Sequence, residues 1–116
     1  MRKDKKYRSN LTLTILSKTL EILNKAQLIE GYRHFSTNYV DRNAGWLSYQ
    51  LHKDRDFCVE TAINTLRHVR KVKTFYLERH KALGGVVDEN INALDEADSL
   101  IQGHLENRYG IKQIKQ

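Results

Sequence analysis

The chain has 116 residues, no proline, six glycines, a single cysteine and a formal net charge of +6 at pH 7. This length predicts one domain, the lack of proline favours long helices, and one cysteine excludes an internal disulfide framework. Residues 1–87 carry 17 Lys/Arg against 8 Asp/Glu, whereas residues 88–116 carry 3 against 6. A basic body with an acidic last segment is typical of a protein that contacts a polyanion, although many small proteins are mildly basic.

The N-terminus begins with a basic segment over residues 1–8, which predicts a flexible arm. Such an arm is either a solvated tail or a segment that touches phosphates or a groove. No apolar signal-peptide core follows it, and no apolar run reaches membrane-spanning length. We therefore expect a cytoplasmic protein that makes no contact with a membrane.

The first predicted helix runs to about Lys25, with Ser9 or Asn10 as its cap. Its leucines keep the three-to-four spacing of one helix face, through Leu16 and Leu23. The opening LTLTIL also alternates like a strand, but the longer periodicity favours a helix. One helical domain is expected over residues 9–110, followed by a basic tail over residues 111–116.

The central segment, residues 32–53, predicts two short helices joined by a polar turn. Phe35 and Tyr39 lie four residues apart and share a face of the first helix, where small Ser36 lets another helix cross closely. Asn43 is placed to cap the second helix, whose apolar face consists of Trp46, Leu47 and Leu51. Two short helices that meet at a small residue have the layout of a helix-turn-helix, and we expect these aromatic and apolar residues in the core.

Two long helices are predicted after this segment. The first is expected from Phe57 to about Leu83 with Asp56 as its cap, and Gly84-Gly85 ends it. The second is expected from Asp88 to about Asn107. The apolar faces of these two long helices are larger than the surface that three short helices can cover. The sequence therefore predicts a homodimer formed through the two long helices. In the alternative, a monomer, the last helix folds back along the long one and covers the stripe.

The segment from residue 23 to residue 66 resembles a family of small, mostly uncharacterised bacterial proteins with a λ-repressor-like helix-turn-helix. The residues that carry the resemblance are Ala26-Gln27-Leu28-Ile29, Phe35-Ser36, Tyr39-Val40-Asp41-Arg42, Trp46-Leu47-Ser48, and the apolar Ala62, Ile63 and Leu66. That family tends to have Gly in the turn where this chain has Asp41, and Ser-Pro where it has Ala44-Gly45. The resemblance implies a λ-repressor-like helix-turn-helix. Together with the helix patterns above, we expect an all-α fold in which this core precedes two long C-terminal helices.

With the apolar residues of the second short helix turned inward, a polar surface remains on its other side. The predicted DNA-binding residues are Arg42, Asn43, Gly45, Ser48, Tyr49, Gln50, His52 and Lys53. Amide side chains can bond adenine edges, and hydroxyl and ammonium groups can hold phosphates. An ordinary polar helix surface would have a similar composition.

A second basic cluster lies on the long helix, at Arg67, Arg70, Lys71 and Lys73 with His68. It could line a nucleic-acid backbone, or it could pair with Asp95, Glu96 and Asp98 of the last helix. No spacing of histidines and Cys58 is typical of a metal site, and no motif of a catalytic nucleophile or of a cofactor is present. Cys58 is expected to be a packing thiol.

These patterns together predict a protein that is not an enzyme and that needs no cofactor or metal. The expected partner is double-stranded DNA, and the expected role is that of a small bacterial or phage transcriptional regulator. The alternative is a protein-interaction module, such as a phage-type inhibitor that blocks a nucleic-acid-handling complex of the host. Exposure of the polar surface of the second short helix would favour DNA binding, and burial of that surface under the C-terminal helices would favour the alternative.

Overall fold

A computed structural model describes residues 14–112, and within this range the chain is all-helical, without strands. The helices are α1 (Ile15–Lys25), α2 (Tyr32–Asn38), α3 (Trp46–His52), α4 (Val59–Leu83), a short 3₁₀ helix (Gly84–Val87) and α5 (Asp88–Tyr109). The all-α prediction is therefore confirmed for this range. The predicted basic arm, residues 1–8, and residues 113–116 of the predicted tail lie outside the described residues.

Helix α1 begins at Ile15, where the hydroxyl of Thr14 accepts a hydrogen bond from the backbone N–H of Ser17 at 3.0 Å. The predicted caps Ser9 and Asn10 lie outside the described residues. The helix ends where Gln27 adopts the left-handed conformation, with φ of 59°. This conformation lets Leu28 donate to the carbonyl of Leu23 at 2.8 Å and turns the chain into the buried connection to α2.

Asp56 was predicted to cap α4, and that prediction is wrong. Its carboxylate accepts the backbone N–H groups of Ile15 at 3.1 Å and Leu16 at 2.8 Å, at the start of α1. The first N–H groups of a helix have no partner inside it, so this carboxylate supplies one from 40 residues away. The N-cap of α4 is Cys58 instead, which forms a capping box with Thr61.

Helices α4 and α5 form an antiparallel hairpin. Gly84 ends α4 with φ of 59°, as the paired glycines predicted, and α5 then runs back along α4. Ion pairs join the two helices in antiparallel order, and they are Arg70–Asp98, Lys73–Asp95 and His80–Asp88. The last helix therefore covers the first half of the α4 stripe within one chain, as the monomer alternative proposed.

The core lies where α1, the α2–α3 segment, the first half of α4 and most of α5 meet. Its largest fully buried side chains are Phe35, Leu16, Leu23, Leu47, Leu66, Leu94, Ile101, Leu105, Val40 and Val69. Trp46 and Leu51 were expected in this core, but both are half-buried and pack against its edge. Beyond Val69 no residue of this 25-residue helix is buried, although α5 pairs with its second half at Lys73–Asp95 and His80–Asp88.

Candidate nucleic-acid interface

The two short helices, α2 and α3, are joined by one hydroxyl group. Ser36 donates to the carbonyl of Tyr32 at 2.9 Å and accepts the backbone N–H of Leu47 at 3.0 Å. Ser36 and Leu47 are both fully buried. The small side chain predicted to permit a close crossing thus also bonds the first turn of α3 directly, which fixes α3 against α2.

Tyr39 follows the end of α2 and holds it to the chain that precedes it. Its ring stacks on Phe35 with centroids 5.8 Å apart, and its hydroxyl donates to the carbonyl of Leu28 at 3.1 Å. Burial raises the pKa of Tyr39 to about 12, with a smaller contribution from Tyr76. The phenol therefore stays protonated as a hydrogen-bond donor, and its predicted role in packing is confirmed. Tyr32, at the start of α2, is 48% exposed.

Three consecutive residues of the turn between α2 and α3 are bound to one face of α4. Asn64 donates to the carbonyl of Val40 at 3.0 Å, and His68 Nε2 lies 3.0 Å from Asp41 Oδ1. Arg42 forms an ion pair with Glu60 at 3.0 Å. The contacted residues of α4 are four apart and share one face, so the turn is fixed relative to α4 at three points.

The predicted DNA-binding residues fall into two groups in the structure. Ser48, Tyr49, His52 and Lys53 are exposed along α3, as are Asn43 and Gly45 before it. Gln50 is half-buried, and so is Arg42, whose guanidinium is already bonded to Glu60. The α3 helix begins at Trp46 with Gly45 at its N-cap position, so Asn43 caps only the preceding turn, where its side chain accepts from Gly45 at 3.1 Å.

Tyr49 is the most prominent side chain of this surface, with 51% of its area exposed. Two cations approach its ring, with Lys53 Nζ at 5.8 Å and Arg55 Cζ at 5.6 Å from the centroid. Arg55 was missing from the predicted set because it follows the helix. Asp54 adopts the left-handed conformation, with φ of 54°. The backbone N–H of Arg55 then donates to the carbonyl of Gln50 at 2.9 Å, and the chain returns toward α3.

The basic cluster of α4 divides between the two roles that the sequence left open. Arg70 bonds Asp98 at 2.8 Å and Gln102 at 3.1 Å, and Lys73 pairs with Asp95, so these two cations hold α5. Arg67 and Lys71 are exposed and have no ion-pair partner within residues 14–112. The side facing α5 is thus neutralised, whereas the neighbouring side keeps its charge.

Cys58 was expected to be a packing thiol, but it is exposed at the N-cap of α4. Partial burial acts to raise the pKa of its thiol, but hydrogen bonds from Thr61 and from the backbone of the first turn of α4, with the charge of Arg42, outweigh that effect and lower it. Within the described range, no group of three or more His, Cys, Asp or Glu side chains could hold a metal ion. None of the helices described is long and apolar enough to cross a bilayer.

Residues 14–112 thus define a small all-helical protein with an exposed aromatic and cationic surface on its third helix. The chain belongs to the family of unknown function DUF6626, whose model matches residues 16–109. Membership of an uncharacterised family agrees with the resemblance seen in the sequence. Comparison with curated proteins and with solved structures found no match.

Proposed function

We propose that this protein is a DNA-binding helix-turn-helix protein, a small cytoplasmic regulator of transcription in a bacterium or phage, and not an enzyme. In this proposal α2 is the scaffold helix and α3 is the recognition helix, which enters the major groove. The observation that carries it is the bond from Leu47 to Ser36, at 3.0 Å. It fixes one side of α3 in the core while Ser48, Tyr49 and His52 stay exposed on the other.

The turn between these helices supports the same proposal. Asp41 adopts a left-handed conformation with φ of 63°, and the backbone N–H of Arg42 then donates to the carbonyl of Ser36 at 2.9 Å. Such a conformation favours Gly, which the resembling family tends to have at this position. Asp tolerates it better than most residues, since its short polar side chain can bond locally. Asp41 therefore fits a turn of helix-turn-helix type.

The chemistry of the exposed and half-buried residues around α3 suits a duplex. Gln50 and Asn43 carry amides that can bond an adenine edge, and Ser48 and Tyr49 can donate to phosphates. Lys53 and Arg55 add two charges within 6 Å of the centre of the Tyr49 ring, at 5.8 and 5.6 Å. A surface with uncharged donors at its centre and cations at its edge suits base contacts flanked by backbone contacts.

Binding to fluorescently labelled random duplexes, followed by anisotropy between low and moderate salt, tests the proposal. We expect binding at low salt and an affinity that falls steeply as salt rises, because phosphate contacts release counterions. Selection from a random pool should then yield a preferred sequence. Absence of binding at low salt would contradict the proposal.

Two substitutions separate base reading from general attraction. Tyr49→Ala and Gln50→Ala should weaken the sequence preference more than the affinity for random DNA, since both lie on α3. Tyr109→Ala is the matched control, because this tyrosine is 38% exposed but belongs to the last turn of α5. Equal loss of preference in the control would remove the role assigned to α3.

A protein partner is the second candidate, favoured by the exposed apolar residues on the second half of α4 and on the 3₁₀ helix that follows it. Phe75, Leu83 and Val86 are 51%, 49% and 77% exposed. We propose that they contact a second copy of the chain, since a helix-turn-helix dimer places two recognition helices about 34 Å apart on DNA. A host protein held by the same surface would instead support the inhibitor alternative.

A further inference from the structure

Arg67 and Lys71 form an exposed cationic pair on α4. They lie four residues apart and therefore share one face of the helix. Both are exposed, and neither has an acidic partner among residues 14–112, whereas their neighbours Arg70 and Lys73 are bonded to Asp98 and Asp95. Two unneutralised charges thus remain on a helix whose other cations already have internal contacts.

This pair borders the turn between α2 and α3. A concave notch of about 250 Å³ is lined by Asp41, Asn64, Arg67, His68 and Lys71. Asn64 and His68 are the residues that bond Val40 and Asp41 of the turn. The same stretch of α4 therefore positions the turn and presents the cations.

Each charged group that faces the notch has an assigned contact except the pair itself. The Asp41 carboxylate is bonded to His68 Nε2 at 3.0 and 3.1 Å, which directs its oxygens toward the ring. Arg42 of the same turn is paired with Glu60, one turn of α4 before Asn64. The positive charge available to an incoming anion therefore comes from Arg67 and Lys71.

We propose that Arg67 and Lys71 contact phosphates of the same duplex that α3 contacts, as a backbone site separate from the recognition helix. This inference rests on the proposed function. A phosphodiester is the occupant chosen because the pair adjoins the turn that leads into α3 and because that turn is fixed to α4 at three points. Positions fixed before binding reduce the ordering cost of a second contact.

The test measures how log affinity for a random duplex depends on log salt for the full chain and three double variants. Arg67→Gln with Lys71→Gln should reduce the magnitude of the slope by about 1.8, since each phosphate contact contributes about 0.9. Lys53→Gln with Arg55→Gln tests the surface of α3 in the same way. Melting temperatures of all variants show that they fold.

Arg79→Gln with Lys81→Gln is the matched control. It removes the same charge from the same helix, about 15 Å farther along, where Arg79 lies over Phe75 and Lys81 pairs with Glu78. Because Arg79 lies over Phe75, the comparison is made at concentrations where light scattering gives both proteins the same mass, and there we expect its slope to equal that of the unchanged protein. An equal reduction in this control would show diffuse attraction and overturn the inference.

The remaining outcomes separate the two proposals. If the unchanged protein binds and the Lys53/Arg55 variant has a smaller slope, but the Arg67/Lys71 variant does not, the inference fails and DNA binding stands. If the unchanged protein does not bind a duplex at low salt, the proposed function fails and the inference fails with it. A smaller slope in both the Arg67/Lys71 and the Lys53/Arg55 variants would support the inference, whereas a smaller slope in the Arg67/Lys71 variant alone would contradict the shared contact with α3.

Discussion

The hydroxyl of Ser36 accepts the backbone N–H of Leu47 at 3.0 Å, across the crossing of α2 and α3. Because both residues are fully buried, removal of the hydroxyl leaves this N–H without water or another acceptor. We expect Ser36→Ala to lower the free energy of unfolding by about 1–3 kcal/mol, measured by urea denaturation.

Thr37→Ala is the control for this substitution. Thr37 is exposed, and its hydroxyl likewise donates to a carbonyl four residues earlier, that of Arg33 at 3.0 Å. Its loss should change stability by less than about 0.5 kcal/mol. Equal effects of the two substitutions would contradict the role of the Ser36–Leu47 bond.

Leu47 and Trp46 are adjacent on α3 but differ in burial. Leu47 is fully buried, so Leu47→Ala should cost about 2–5 kcal/mol. Trp46 is half-buried. Loss of a fully buried aromatic side chain lowers the free energy of unfolding by about 3–5 kcal/mol, and Trp46→Ala should lower it by less. Circular dichroism should follow the unfolding, since Trp46→Ala removes the chain's one tryptophan and with it the tryptophan fluorescence. A cost for Trp46→Ala above that of Leu47→Ala would show that the tryptophan is a core residue.

Asp56 stabilises the start of α1 rather than α4. Asp56→Ala should cost about 1–2 kcal/mol, as loss of a helix cap does, and should speed amide exchange at Ile15 and Leu16. Asp56→Asn keeps one acceptor oxygen and should have a smaller effect. Unchanged exchange at both amides in Asp56→Ala, measured by NMR, would contradict the capping contact.

Cys58 gives a prediction that depends on pH. A lowered pKa means that the native thiol is deprotonated at a lower pH than the thiol of the unfolded chain. The rate of alkylation by iodoacetamide should therefore rise at lower pH in the native protein than in urea, and the single cysteine makes the reading unambiguous. Ionisation of this group favours folding above the pKa of the unfolded thiol, and that contribution is lost as pH falls through the native pKa.

Thr61→Val removes the hydroxyl that bonds Cys58 and should displace the native alkylation profile back toward higher pH. Arg42→Gln should displace the profile less, because the charge of Arg42 makes the smallest contribution to the pKa shift. Coincident profiles of the native and unfolded protein would contradict the shift itself.

Self-association is the fifth prediction. Arg70 pairs with Asp98 and Lys73 with Asp95 within one chain, so the dimer rests on the exposed apolar residues alone. Light scattering at micromolar concentration should give a mass near twice the 13.6 kDa of the chain. Phe75→Glu should restore the mass of the monomer.

Leu77→Glu is the control for this substitution. Leu77 is 46% exposed but is rotated by about 200° from Phe75 around α4, and so it lies on nearly the opposite face. Its substitution should leave the dimer intact. A mass near 13.6 kDa for the unchanged protein at all accessible concentrations would rule out the dimer.

The helices were predictable from the amino-acid sequence, because their signals are local. Leu94, Ala97, Ile101 and Leu105 are three or four residues apart and mark the buried face of α5, and Gly84-Gly85 marks the end of α4. These patterns depend on the backbone period and on conformations that glycine adopts easily, and both are properties of neighbouring residues. The division of the chain into two short and two long helices after residue 31 was predictable for the same reason.

The partner of each polar side chain depends on how distant segments pack together and was not predictable from the local sequence. Asp56 preceded a helix and suited its cap, yet an unsatisfied helix start 40 residues away in sequence lay within its reach. Arg70 and Arg67 looked equivalent in the sequence, but Arg70 faces Asp98 and Arg67 does not. Hydrogen bonds and ion pairs depend on distances of about 3 Å between atoms, and such distances exist only once distant segments have packed together.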